Sequence, residues 1–353
     1  MQRVKSKHLF NYQLSGELHP SIAALTEKWM AGMLADPDAK AAWDRINSDD
    51  PNVDDQEAVD QLRSKIPFTT QYLTTAFKDA IDQCIHTEFK VPVRDGNVFE
   101  VPVLVHTPKN IAESKMNACV IYAHGGGVIS GSAEMAKGLV SRMALETGVV
   151  FFNVDYRLAP ETKYPNNALD FYCSVKHIKE NGDAFGIDPA RIVIAGDSGG
   201  GYICFASMVL MAQKNDTDLV KLAIPGVAMI SDNCFSDPAA MTREEREYAY
   251  LMRRNWRCIA DDIDKQWNDP LLFPAKASDE TIAKMPPTMI WEMEFDMFIT
   301  ENSRMANRMR RLGRLLEFRV QPGMNHGGAR LPDGEGFPLY VRDYKLALQQ
   351  YLL

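Results

Sequence analysis

The sequence predicts an α/β protein built on a mostly parallel sheet with helices on both faces. Short apolar runs and helix-length amphipathic stretches alternate along most of the chain from residue 117 onward, the pattern of a parallel sheet with crossover helices. One of these units is unusually plain. The run Ile192–Ala195 suits a buried strand, Gly196-Asp197-Ser198-Gly199-Gly200 a tight turn, and the apolar stretch from Tyr202 to Ala212 a buried helix. Length and composition agree: 353 residues, 46% apolar and 24% charged, are those of an ordinary globular chain able to hold one large domain with insertions or two smaller ones.

Taken in order, residues 1–83 read as helical. Ile22, Leu25, Trp29 and Met33 fall at helical spacing, and Ile66, Tyr72, Leu73, Phe77 and Ile81 form a second apolar set. The acidic stretch Asp49–Asp60, with Pro51, predicts a solvated connection between them. Two β-like runs, 84–93 and 98–107, flank Arg94-Asp95-Gly96-Asn97, a hairpin signal. A strand at 117–123, a helix near 133–146, a strand at 148–154 and a helix near 166–180 follow. After the Ser198 unit comes a strand near 223–231. Residues 235–268 turn polar and helix-like, which predicts an insertion. The sheet pattern resumes with a strand at 287–293, a helix near 301–312, a strand at 315–320 and a closing helix near 338–352. The expected division is therefore 1–83, 84–234, 235–268 and 269–353.

The net charge of −8, from 39 basic and 47 acidic residues, argues against nucleic acid as a partner. No apolar run has the length of a membrane span, and the basic N-terminus lacks the apolar segment of a secretory signal. Cysteines 84, 119, 173, 204, 234 and 258 are scattered, without metal-like spacing. Buried free thiols in a reducing compartment, the cytoplasm, are the expectation, with no metal site and no cofactor.

Gly-Asp-Ser-Gly-Gly between a strand and a helix carries chemistry because so sharp a turn lifts the serine hydroxyl clear of the sheet. It also leaves the Gly199 N–H beside Ser198 at a helix N-terminus. A serine needs a base, and the base an orienting group. His8, His19, His86, His106 and His177 lie in helical or strand contexts that suit structural or surface roles. His326 instead follows a strand, in the loop Gln321–Gly328, where an open α/β sheet keeps its site. The orienting carboxylate should follow another strand. Asp296 does so, and spacing alone leaves Glu292 and Glu294 as rivals. Tyr122-Ala-His-Gly-Gly-Gly-Val128 supplies backbone N–H donors after a strand, as an oxyanion hole requires. His124 beside them suits fixing the loop. A nucleotide phosphate loop is set aside, since neither G-x-G-x-x-G nor G-x-x-x-x-G-K-[ST] is present.

These residues resemble the hormone-sensitive-lipase-like family of α/β-hydrolases. The resemblance rests on His124-Gly-Gly-Gly127, Asp155-Tyr-Arg-Leu-Ala-Pro-Glu161 with Tyr164-Pro165, and Gly196-Asp-Ser-Gly-Gly200. It extends to Asp269-Pro-Leu271, Pro286-Pro287, Asp296 and His326-Gly327. It implies the α/β-hydrolase fold and a Ser198–Asp296–His326 triad, in the chain order of that fold. Oxyanion donors would come from Gly125, Gly126, Gly127 and Gly199. A helical cap, made from the N-terminal segment and the 235–268 insertion, would cover the acyl pocket, with Asp155–Glu161 bracing the loops. Tyr156 and the Phe235–Trp267 stretch are candidate substrate-binding residues. There are departures. Gly199 stands where alanine is usual, which predicts a looser elbow. The acid motif reads Asp296-Met-Phe-Ile-Thr300 where Asp-Pro-Leu-x-Asp is common. Gly328, after His326-Gly327, predicts a wider pocket wall.

The function this implies is cofactor-independent hydrolysis of short- to medium-chain carboxylic esters through an acyl-enzyme. A deacetylase or amidase of the same mechanism is the alternative, because specificity lives in cap and pocket. A ligand-binding receptor on the same scaffold is the remaining rival, disfavoured because all three triad candidates are present. The expected partner is a small ester, with the protein a monomer or homodimer. Because a base must be neutral to accept a proton, activity is expected to fall in acid.

Overall fold

The predicted alternation becomes one eight-stranded sheet in the computed structural model of the protein, which describes residues 17–24, 37–46, 54–64, 66–94, 98–111, 116–328 and 336–352. The strands are β1 (Cys84–Arg94), β2 (Val98–Pro108), β3 (Asn117–Ala123), β4 (Val150–Val154), β5 (Ile187–Asp197), β6 (Leu222–Gly226), β7 (Thr288–Phe295) and β8 (Leu315–Asn325). Their spatial order is β1-β2-β4-β3-β5-β6-β7-β8. β1 and β2 form the antiparallel hairpin, closed at Arg94 opposite Val98, while the turn residues 95–97 lie outside the described residues. β2 is antiparallel to β4, and every later pairing is parallel.

Both faces of the sheet are buried, so its central strands are apolar at every position rather than at alternate ones. Cys119, Ile121, Ile192 and Ile194 face a core completed by helices Asn166–Glu180, Gly199–Lys214 and Ile299–Arg311. Their neighbours Val120, Tyr122, Val193 and Ala195 face the opposite core, with helices Ala133–Thr147 and Gly336–Tyr351. Each of the Val and Ile side chains among them, fully buried, contributes about 1.5–3 kcal/mol. The parallel strands all end on one side, where β3, β5, β7 and β8 deliver the loops that carry the candidate site.

Three elements differ from the sequence expectation. β6 ends at Gly226, not 231, because Val227 takes a positive φ of 40° and turns the chain away, its N–H held by the Trp291 carbonyl at 2.8 Å. β8 continues to Asn325, where it pairs with Phe295. It is an edge strand, so Pro322 interrupts no ladder on its open side. The acidic stretch read as a connection contains the helix Asp55–Arg63, whose cap Asp54 accepts from the Glu57 N–H at 3.0 Å. Carboxylates at a helix N-terminus stabilise it, so acidity there marks a helix start as readily as a loop.

Among the described residues, helices carry most of the N-terminal region, and one long helix runs through the insertion. Residues Pro37–Ile46, Ile66–Ala76 and Lys78–Asp82 are helical, and Ile22 is buried. Leu25, Trp29 and Met33 lie outside the described residues, and Tyr72 of the second apolar set is exposed. In the insertion, helix Arg243–Ile259 starts on a full capping box. The Thr242 hydroxyl accepts from the Glu245 N–H at 3.1 Å, and the Glu245 carboxylate accepts from the Thr242 N–H at 2.7 Å. Asp55 joins the two regions through ion pairs with Arg257 at 3.2 Å and Arg254 at 3.3 Å. Among the described residues, no helix is long and apolar enough to cross a membrane.

Candidate active site

Ser198 sits between β5 and helix Gly199–Lys214 with φ 59° and ψ −118°, a strained conformation for a residue bearing a Cβ. The turn is held from beneath. The Ser198 N–H donates to the Gly226 carbonyl at 3.0 Å, and the Ser198 carbonyl accepts from the Tyr202 N–H at 3.0 Å. A Cβ on Gly200 would collide with the Ala123 carbonyl oxygen, so helix and β3 touch backbone to backbone.

His326 directly follows β8. Its Nε2 is 3.0 Å from Ser198 Oγ, and its Nδ1 is 2.7 Å from Asp296 Oδ2. With the Nδ1 proton donated to the carboxylate, the Nε2 lone pair faces the serine hydroxyl. Asp296 is 2% exposed, and its other oxygen accepts from the Phe298 N–H at 2.9 Å. The Phe298 ring meets the imidazole edge-on, centroids 5.4 Å apart.

The rival carboxylates have other surroundings. Glu294 accepts from the Gly323 N–H at 2.7 Å, tying β7 to the end of β8. Glu292 is wholly buried. Burial first, then the charges of Asp296 and Glu301, push its carboxyl well above the usual range, so it keeps its proton.

The loop after β3 carries Gly125, Gly126 and Gly127 across the top of Ser198. The Gly126 carbonyl accepts from Ser130 N and Oγ, both at 2.9 Å. The Val128 carbonyl accepts from the Ala159 N–H at 2.9 Å, and the Ile129 carbonyl from Arg63 Nε at 2.8 Å. Arg63 also donates to the Ala159 carbonyl at 2.8 Å and pairs with Glu161, so one guanidinium from the N-terminal region fastens both loops. Beneath lies His124, wholly buried, its pKa lowered by that burial, with Nδ1 donating to the Gly125 carbonyl at 2.9 Å. Tyr156 stacks on His124 at 4.4 Å and donates its hydroxyl to the His124 carbonyl at 2.7 Å. Asp155 accepts from the Ala133 N–H at 2.7 Å, and Asp170 holds Arg157 through both oxygens. Tyr156 was expected to bind substrate. At 2% exposure beneath the loop, it has the position of a brace.

Two of the expected departures turn out differently. Gly199 does not leave the elbow loose. A Cβ there would lie 2.7 Å from the nitrogens of both Gly127 and Val128, so the glycine loop has closed onto the space an alanine would fill. Gly328 does not widen a wall either. Asn325 Oδ1 would be 2.6 Å from a Cβ there, and Ile22 fills the rest. The N-terminal region reaches this loop a second time through the His19 N–H, which donates to the Gly323 carbonyl at 2.7 Å.

Sequence reading did not single out Arg63, Phe298 or Asn255, although Asn255 lies within the stretch named as candidate lining. Asn255, from helix Arg243–Ile259, sets its amide nitrogen 2.3 Å from where a Cβ of Gly127 would be, and Gly127 has a φ of 63° that suits glycine. Their signal is tertiary. Each reaches the site from a separately packed helix or loop, with no local motif to mark it.

The alpha/beta hydrolase fold family profile matches residues 120–330. The chain is 24% identical to Esterase LipI of Mycobacterium tuberculosis over 304 residues, 79% of this chain and 90% of that protein. It is 30% identical to human arylacetamide deacetylase-like 3 over 154 residues, 44% of this chain but only 38% of that longer relative. Among solved structures, a hyperthermophilic esterase from the archaeon Pyrobaculum calidifontis superposes with a TM-score of 0.77 at 23% identity, covering 95% of this chain and 98% of that one. A bacterial heroin esterase superposes with a TM-score of 0.73 at 25% identity, covering 90% and 98%. With the strand order, the elbow and the family profile in agreement, the chain belongs to the alpha/beta hydrolase fold family, in its hormone-sensitive-lipase-like branch.

Proposed function

We propose that the protein is a serine carboxylesterase acting on short- to medium-chain esters. The observation that carries this is the unbroken line from Asp296 through His326 to Ser198, 2.7 Å and 3.0 Å long, beneath a loop of backbone N–H groups. In this reading Ser198 Oγ attacks the ester carbonyl carbon while His326 Nε2 takes its proton. Negative charge builds on the carbonyl oxygen and is met by N–H groups of Gly126, Gly127 and Gly199, with Gly125 shaping the loop. Collapse of the tetrahedral adduct expels the alcohol, protonated by His326, and leaves an acyl-serine. A water, deprotonated by His326, then releases the acid and restores the hydroxyl. Asp296 holds the imidazole in the needed tautomer and offsets its charge when protonated.

A second reading, removal of acetyl groups, is supported by the name of the deacetylase-like relative. The N-terminal helices and the 235–268 insertion form the cap in this proposal, supported by the shared Asp55 ion pairs. A cytoplasmic setting is supported by six unpaired cysteines, five of them buried.

The test is a panel of p-nitrophenyl esters from acetate to laurate. Turnover should be fastest for short chains and fall by at least about 10⁴-fold in Ser198→Ala, with the fold unchanged by circular dichroism. Stoichiometric binding of esters without turnover would replace the esterase reading with the receptor one.

A further inference from the structure

We propose that Asn255 supplies a side-chain N–H to the oxyanion pocket, so that the cap helix provides part of the charge-stabilising machinery as well as covering the acyl site. This deepens the esterase reading and rests on it.

Asn255 is 2% exposed, and its amide oxygen accepts no hydrogen bond. A buried orphan acceptor costs free energy that a leucine of the same branched shape would avoid. The amide is therefore a poor choice for packing alone. What its nitrogen touches supplies the reason. It lies only 2.3 Å from where a Cβ on Gly127, one of the expected donors, would be. Because a Cβ lies about 2.5 Å from its own backbone nitrogen, Asn255 Nδ2 is within about 5 Å of the Gly127 N–H. The same Gly127 nitrogen lies 2.7 Å from the place of a Cβ on Gly199. Elbow, glycine loop and cap amide thus converge on one small volume beside Ser198.

The residue is also placed firmly enough to act there. Its neighbour Trp256 is wedged edge-on between Tyr202, at 5.4 Å, and Phe273, at 4.8 Å. The helix is pinned at its start by the capping box and near its end by Arg257 on Asp55. A donor on a fixed helix is pre-organised, and pre-organised donors are the ones that lower the barrier of acyl transfer.

The experiment compares p-nitrophenyl butyrate with its thionoester, whose sulfur is a weak hydrogen-bond acceptor and makes little use of the pocket. Asn255→Leu keeps the shape and removes the donor. It should lower kcat for the ester about ten- to hundredfold, leave KM within about threefold, and change the thionoester rate less than threefold. Asn255→Asp, isosteric but negative, should lose more. If the leucine variant fails to fold, Asn255→Ser, too short to reach, carries the same comparison. A leucine variant with wild-type kcat overturns the proposal and makes Asn255 a packing residue. Equal loss on both substrates also overturns it, since that marks a displaced nucleophile. If wild-type protein hydrolyses neither compound, the esterase reading itself fails and takes this inference with it.

Discussion

Two glycine-rich turns face each other across Ser198, and they are held in opposite ways. The elbow, 196–200, is fixed from below by the sheet: Ser198 is tied to Gly226, and Gly200 presses on Ala123. The loop Gly125–Gly127 is fixed from outside, by Arg63 on Ile129, Tyr156 under His124, and Asn255 against Gly127. The first is set by strands that pair next to one another. The second depends on the docking of two helical regions far away in the chain. Position of Ser198 is thus a property of the core, and position of the Gly125–Gly127 loop a property of how the two helical regions dock.

That contrast can be broken by substitution. The largest effect is expected from Gly200→Ala, where the new Cβ would collide with the backbone of β3. Its cost should reach or exceed the upper end of the roughly 1–3 kcal/mol of core overpacking, read as a lowered Tm and loss of soluble protein. Gly127→Ala should instead spare the fold and cut kcat about 10²–10³-fold, the loss of one oxyanion donor, because the methyl would displace the loop against Asn255. Were Gly127→Ala to unfold the protein and Gly200→Ala merely to slow it, the distinction would be reversed. Gly199→Ala, which restores the residue common in the family, should lower kcat about tenfold rather than leave it unchanged. Unaltered turnover would mean that Gly127 and Val128 give way easily.

Arg63→Ala removes charge-assisted hydrogen bonds to two loop carbonyls and should cost about 1–3 kcal/mol, with kcat falling more than the change in KM. The smallest effect concerns Glu301, whose carboxyl accepts from the Ile230 N–H and from Ser231. Burial pushes it up to about 8 from 4.5, so the folded protein retains a proton that the unfolded chain releases between those values. Its contribution to stability is therefore fullest below about 4.5, declines as pH rises, and levels off above about 8. Glu301→Gln should raise Tm relative to wild type by an amount that grows from pH 5 to pH 8. A gap that does not vary with pH would show that Glu301 titrates normally.

What could be read without coordinates follows the same division. The sheet, its parallel order and the elbow were legible because each is written in contiguous residues: an apolar run, a glycine turn, a buried helix. Ser198 and His326 were legible for the same reason. Asp296 was less so, because the strand exit carries three acids, and only their surroundings separate them. Glu292 is buried without a charged partner, Glu294 is spent on Gly323, and Asp296 meets the imidazole. Arg63 was not legible at all, and Asn255 only as one position in the Phe235–Trp267 stretch. Their importance comes from where whole helices come to rest, which no local pattern encodes. The acidic stretch near 55 misled for a related reason, since solvated loops and helix starts both favour carboxylates.

The His326 loop has an outlying support, with Ile22 lodged beside Gly328 and the His19 amide bonded to Gly323. Clipping the chain beyond residue 24, by protease or by gene design, would withdraw a wedge some three hundred positions upstream of the imidazole. Catalysis should then fade before the melting curve moves, so the choice of expression boundaries becomes an enzymological variable.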